Sequence, residues 1–122
     1  MKQKVHSVSY LAKAEFEFKN GVYDLVALPT GAEVVKVSVE VVGNPMAGMV
    51  TVGFKDETQK NYFLTLDNAG TGNDKNTATS AKDYTATSNR VIVAEVKKAT
   101  GNDIKGVLRV LYFLPSVIEV EY

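Results

Sequence analysis

The stretch that decides the fold is Glu33-Val34-Val35-Lys36-Val37-Ser38-Val39-Glu40-Val41-Val42. Its odd-numbered valines alternate with Lys36, Ser38 and Glu40, so an apolar residue falls at every second position. A period of two is typical of a β-strand that buries one face and exposes the other. Valine also suits a pleated surface because its branched side chain is stiff. The pattern predicts a buried row of four residues, namely Val35, Val37, Val39 and Val41.

The same alternation recurs on both sides of this stretch. Ala14–Lys19 places Phe16 and Phe18 on one face, and both are expected in the core. Val107–Leu114 is apolar on both faces, which predicts a central strand with Val110 and Tyr112 buried. Further strands are predicted at Lys4–Tyr10, Val22–Leu28, Met49–Lys55, Asn61–Leu66, Arg90–Lys97 and Val117–Tyr122. Turn residues such as Asn20-Gly21 separate them.

About eight to nine short strands without a helical crossover predict an all-β, antiparallel β-sandwich. We expect residues 1–122 to form one such domain, because this length is typical of a single domain. Residues 67–89 interrupt the pattern, since they contain one aromatic residue and no Val, Ile or Leu. They are predicted to form a long polar loop, which either binds something or is mobile. A short helix or strand around Ala81–Ala86 could interrupt this loop.

The composition of the chain argues against several classes of partner, catalytic site and metal site. Fourteen basic and fourteen acidic residues cancel, which argues against nucleic acid or a membrane as the main partner. The chain has no Cys and one His, His6, so disulfides, thiolate catalysis and Cys/His zinc sites are excluded. Paired carboxylates such as Glu15 and Glu17 fall on the solvent face. We therefore expect no catalytic, cofactor or metal site and no enzymatic activity.

Two segments are candidates for binding a partner. The polar loop supplies oxygen ligands and one aromatic ring, which are suited to a glycan or to Ca²⁺, although a flexible polar loop is the simpler interpretation. Residues 116–122 alternate cleanly, so this terminal strand either completes its own sheet or adds to that of a neighbour. The candidate partner-binding residues are Asp67, Asn68, Asn73, Asp74, Tyr84, Ile118, Val120 and Tyr122.

The region from Val22 to Phe113 carries a resemblance. A strand leads into Leu28-Pro29-Thr30-Gly31-Ala32, the Val-rich strand follows, and Thr51-Val52-Gly53-Phe54 and Gly106–Phe113 complete the pattern. This arrangement resembles small jelly-roll structural proteins of tailed bacteriophages, of the head decoration (cement) or fibre-base type. The resemblance implies a jelly-roll sandwich and a virion component, and it supplies no catalytic motif.

The function expected on this basis is that of a non-enzymatic virion protein, foremost a decoration protein on the outer surface of the head shell. Its partner would be the major capsid protein or another virion protein, and it would form a homo-oligomer, with a trimer among the candidates. The alternative is a carbohydrate-binding β-sandwich module used in adhesion. The start of the chain lacks the apolar run of a signal peptide, so synthesis in the host cytoplasm and residence in the virion are expected.

Overall fold

The computed structural model describes residues 2–6, 8–43, 47–67, 76–101, 103–114 and 117–121, and the secondary structure of these ranges is entirely β. The strands are β1 (Lys2–His6), β2 (Ser9–Glu17), β3 (Gly21–Leu28), β4 (Glu33–Val42), β5 (Ala47–Phe54), β6 (Leu64–Leu66), β7 (Thr77–Ser80), β8 (Tyr84–Thr85), β9 (Arg90–Thr100), β10 (Lys105–Phe113) and β11 (Val117–Glu121).

Nine of these strands form two antiparallel sheets. The first sheet has the order β2-β10-β4-β7, and the short β8 also pairs with β4. The second sheet has the order β3-β9-β5-β6. Successive strands from β2 to β5 alternate between the two sheets, and β6 then stays in the same sheet as β5. If β7 and β8 are counted as one interrupted strand, this connectivity is that of a jelly roll. The predicted antiparallel sandwich of jelly-roll type is confirmed.

The central position predicted for Val107–Leu114 is also confirmed, because β10 pairs with β2 on one side and with β4 on the other. The predicted phase of the Val-rich strand is only partly right. Val37, Val39 and Val41 are buried, but Val34 is buried in place of Val35. The register between β4 and β10 slips by one residue near Leu111, and this irregularity reverses the alternation at the start of β4.

The described part of 67–89 is more ordered than the predicted polar loop, and the short strand β8 lies within the range 81–86, where a short helix or strand was expected to interrupt that loop. Thr77–Ser80 pairs with β4, and Tyr84–Thr85 pairs with β4 nearer its start. Ala86 is fully buried, and its backbone exchanges hydrogen bonds with the turn at Gly31 and Ala32. Small and polar residues can form these strands because β4 pairs with their backbone, and because Ala78 and Tyr84 pack against the core. Residues 68–75 lie outside the described residues.

The core lies between the two sheets and, among the described residues, no polar or charged residue is buried. Phe16, Phe18 and Val110 belong to it as predicted, whereas Tyr112 is only half-buried at its margin. The glycine Gly106 is required by close packing, because a Cβ atom there would lie 2.1 Å from the ring of Phe16. A glycine on the central strand therefore makes room for an aromatic ring from the edge strand.

Replacement of Val39 by Asp is expected to prevent folding. Val39 is 1% exposed, and an unpaired carboxylate in this core costs several kcal/mol, roughly the net stability of a small domain. The matched control is Val42→Asp on the same strand, where the side chain is 49% exposed and the same substitution should leave the fold intact. Far-UV circular dichroism and thermal melting of the two variants test this. Native-like melting of Val39→Asp would contradict the assigned core.

Replacement of Gly106 by Ala is expected to destabilise the protein by about 1–3 kcal/mol, because the added methyl group forces the Phe16 ring out of its site. The double variant Gly106→Ala/Phe16→Leu should recover part of this loss, since the smaller side chain leaves room for the methyl group. Denaturant unfolding of both single variants and of the double variant measures the coupling. Additive losses in this cycle would show that the two residues do not share the space.

Candidate functional site

The predicted partner-binding residues that the structure describes lie on different parts of the fold. Asp67 is exposed at the end of β6, at the opposite end of the sandwich from Tyr84 on β8. Ile118 and Val120 belong to β11, which pairs with β1 of the same chain. The remaining predicted residues, Asn68, Asn73, Asp74 and Tyr122, lie outside the described residues.

Tyr84 belongs to a packed aromatic cluster. Its ring centroid lies 4.7 Å from that of Phe54 and 5.6 Å from that of Tyr62, and Phe63 packs against the same group. The ring of Tyr84 is half-buried and makes contacts on several sides. It is therefore a structural ring and not a free platform on which a sugar could stack, so the carbohydrate-binding alternative gains no support from it.

Arg90 covers this cluster at the end of the sandwich. Its guanidinium carbon lies 3.7 Å from the centroid of the Phe54 ring, a cation–π contact made by a side chain that is only 16% exposed. Its Nη1 donates a hydrogen bond to Tyr84 Oη at 3.1 Å, and its Nη2 donates one to Asp56 Oδ1 at 2.6 Å. One side chain thus closes the core and ties the loop after β5 to the start of β9.

The pKa values of Asp56 and Arg90 are both shifted in the direction that favours the charged form. The hydrogen bond from Arg90 lowers the pKa of Asp56 below its ordinary value of 3.8, in spite of some desolvation. Burial alone would lower the pKa of Arg90, but its bonds to Asp56 and Tyr84 outweigh this and raise it. Both groups are charged at neutral pH. Sequence reasoning missed this pair because residues 34 positions apart carry no signal of their contact.

Two exposed large apolar residues, Tyr10 and Leu11, lie on the edge strand of the first sheet, near the same end. Tyr10 is 49% exposed and stacks on Tyr112, with 6.0 Å between the ring centroids. Leu11, the next residue along the edge strand, is 62% exposed on the outer face and lies opposite Leu111 of β10. Apolar side chains exposed on both faces of an edge strand are typical of a surface that a partner covers.

The outer face beside Leu11 forms a shallow groove of about 260 Å³. Leu11 and Leu111 supply its apolar lining, and Lys36, Ser38 and Arg109 supply its polar lining. The structure describes no cluster of His, Asp or Glu that could hold a metal ion. The mixed apolar and polar lining of the groove is of a kind suited to contact with another polypeptide.

The terminal strands lie outside both sheets. β1 and β11 form a two-stranded antiparallel ribbon in which Lys2 is opposite Glu121 and Lys4 is opposite Glu119. The backbone N–H of Leu114 donates to the carbonyl of Val8 at 2.9 Å, so this ribbon continues the ladder of β2 and β10. We call β1 and β11 together the terminal arm. The predicted terminal strand thus pairs within its own chain but does not join either sheet of the sandwich.

The jelly roll is a fold shared by viral capsid domains, lectins and cupins, so the fold alone does not define one function. Within the described ranges, no helix is long and apolar enough to cross a membrane. No family model matches this chain, and no curated protein matches it.

Solved structures identify the group to which the protein belongs. A chain in the acid-stable capsid structure of Helicobacter pylori bacteriophage KHP30 is 75% identical to this one, with all of both chains covered and a TM-score of 0.92. A chain in the capsid asymmetric unit of cyanophage Pam1 is 19% identical, covers 88% of this chain and 85% of its own, and has a TM-score of 0.69, which shows a shared fold. This chain belongs to the family of the KHP30 capsid chain and is a bacteriophage virion structural protein.

Replacement of Asp56 by Asn is expected to lower thermal stability at neutral pH and to have no effect in strong acid. Because the pKa of Asp56 is depressed in the folded protein, the charged pair stabilises the fold above the ordinary value of 3.8 and is lost as the pH falls through the folded value. Melting temperatures of both proteins between neutral pH and about pH 2 test this sign. A difference that persists unchanged in acid would contradict it.

Proposed function

We propose that this protein is a decoration, or cement, protein that binds the outer surface of the phage head shell as a homo-oligomer, with the major capsid protein as its partner. The observation that carries the proposal is its identity of 75%, over the full length of both chains, with a chain of the KHP30 capsid structure. The fold supports the finer assignment, because the two sheets cover each other's apolar faces without any contribution from another chain.

A chain that completes its own core can fold before assembly and then dock as a finished unit. Its described surface exposes few large apolar side chains, namely Tyr10, Leu11, Val22 and Val42. Such a limited apolar area is typical of a soluble protein with a small docking surface. The formal charges of the chain also sum to zero. Shape complementarity and apolar contact, rather than net electrostatic attraction, would therefore hold the protein on a shell.

The experiment begins with purified virus particles. The protein should be present in them at a fixed ratio to the major shell protein, as measured by quantitative mass spectrometry. Particles stripped of it by mild denaturant should release their genome at a lower temperature than intact particles, because a docked layer stabilises the shell only while it is bound. Addition of the purified protein should restore the original release temperature. Particles that lack the protein, or stripped shells of unchanged stability, would refute the proposal.

Acid resistance follows from the same structure. The KHP30 capsid is described as acid-stable, and the described core of this chain contains no ionisable group whose protonation would unfold it. We expect the isolated protein to keep its β-type far-UV spectrum down to about pH 2. Protonation of Asp56 should lower its thermal stability slightly without unfolding it. Cooperative unfolding above pH 4, near the ordinary carboxyl pKa of about 4, would show that other carboxylates hold the fold together.

A further inference from the structure

Among the strands that the structure describes, β2 forms the one long and regular edge of the two sheets. It pairs with β10 through nine consecutive residues without a register shift. The edge strands β6, β7 and β8 have only two to four residues each, and an irregularity between Asp24 and Val26 interrupts the edge strand β3. Short or irregular edges resist pairing with another chain, whereas a long regular edge is a template for it. The terminal arm pairs within itself and not with this edge.

The hydrogen-bond phase of β2 shows which of its backbone groups face outward. The N–H of Phe18 donates to the carbonyl of Ile104, and the carbonyl of Val8 accepts from the N–H of Leu114, both at 2.9 Å. Because hydrogen-bonded pairs alternate along an antiparallel ladder, the even-numbered residues of β2 bond to β10. The N–H and C=O groups of the odd-numbered residues therefore point away from β10, where no described strand pairs with them. These residues include Ser9, Leu11, Lys13 and Glu15.

Two charged residues on this edge have no described ion-pair partner. Lys13 and Glu15 are both exposed, and the described ion pairs include neither of them. Within the chain, Lys13 lies opposite Arg109 of β10, and like charges in that relation repel each other. Arg109 itself contacts Glu40 at 3.3 Å. A carboxylate placed on the outer side of Lys13 would therefore be stabilised.

A second copy of β2 supplies that carboxylate in one register only. Antiparallel pairing of β2 with its own copy about a two-fold axis must match outward-facing, odd-numbered residues with each other, so its centre falls on a residue. Centred on Ala14, the pairing places Lys13 of each copy opposite Glu15 of the other. Centred on Lys13 or on Glu15, it places like charges opposite each other, and centred on Ala12 it forms no pair of opposite charges.

We propose that this protein forms a two-fold dimer by strand addition, in which β2 of one copy pairs antiparallel with β2 of another and Ala14 lies at the axis. The first sheets of the two copies then form one continuous sheet. The outward-facing backbone groups supply hydrogen bonds, and two ion pairs between Lys13 and Glu15 fix the register. The exposed Leu11 lies within the paired segment. This inference rests on the proposed homo-oligomer and identifies its contact.

Reversal of the two charges tests the register. Lys13→Glu places carboxylates opposite each other at two points of the pairing, so self-association measured by sedimentation should weaken about tenfold. Within one chain the same change removes the repulsion from Arg109, so the fold should persist, which circular dichroism checks. The double variant Lys13→Glu/Glu15→Lys restores opposite charges and should recover the dimer. The matched control is Lys36→Glu on β4, an exposed position away from the edge, and should leave association unchanged.

Cross-linking measures the same register directly, because the chain has no cysteine of its own. A Lys13→Cys protein is mixed under mild oxidation with an isotopically labelled Glu15→Cys protein, both free in solution and rebound to stripped particles. Opposite residues have Cα atoms about 5.5 Å apart, which a disulfide can bridge, whereas the two copies of residue 13 would lie about 8 Å apart. Mass spectrometry should therefore find mixed dimers in excess over like dimers. Thr79→Cys, exposed on the opposite edge of the same sheet, replaces Lys13→Cys in the control and should give no excess.

The possible outcomes separate this contact from the proposed function. Mixed disulfides, together with loss and recovery of association in the charge variants, would support strand addition. An oligomer that gives no excess of mixed disulfides and ignores the charge reversals would overturn strand addition while leaving the homo-oligomer in place. A protein that is monomeric both in solution and on the particle would overturn both. Attachment to the shell is judged by the rebinding experiment alone.

Discussion

The pairing of β10 between β2 and β4 is the interaction on which the rest of this structure depends. It brings Lys105–Phe113, from the last fifth of the chain, between two strands from the first third. Contacts so distant in sequence carry a large entropic cost of loop closure, which the burial of apolar residues such as Leu108 and Val110 must offset. Once β10 is in place, the first sheet has a continuous inner face to pack against the second sheet.

The surface features follow from the same pairing. Leu11 and Leu111 become neighbours because β2 and β10 are in register, and the groove between them and Lys36 exists only where three strands meet. The two ends of the chain also leave the sandwich side by side, which allows β1 and β11 to pair. The core strand that closes the fold therefore also creates this groove on the surface.

At the same end of the molecule, Arg90 closes the aromatic cluster over Phe54. Its charge is tolerated at the margin of an apolar core because Asp56 and Tyr84 supply hydrogen-bond acceptors and the ring supplies a cation–π contact. The described core otherwise excludes ionisable groups. An apolar core closed in this way is compatible with the structural role that the family relation to a capsid chain indicates.

The sequence by itself determined the fold class and most strand positions, because a period of two and the positions of turn residues are local properties. Tertiary structure decided what depends on a distant partner. The irregularity opposite Leu111 buries Val34 in place of Val35. Pairing with β4 places Thr77–Ser80 in a strand, although the composition of this segment predicts a loop. The groove and the Arg90–Asp56 pair likewise join residues whose separation along the chain leaves no local pattern, so only the folded chain reveals them.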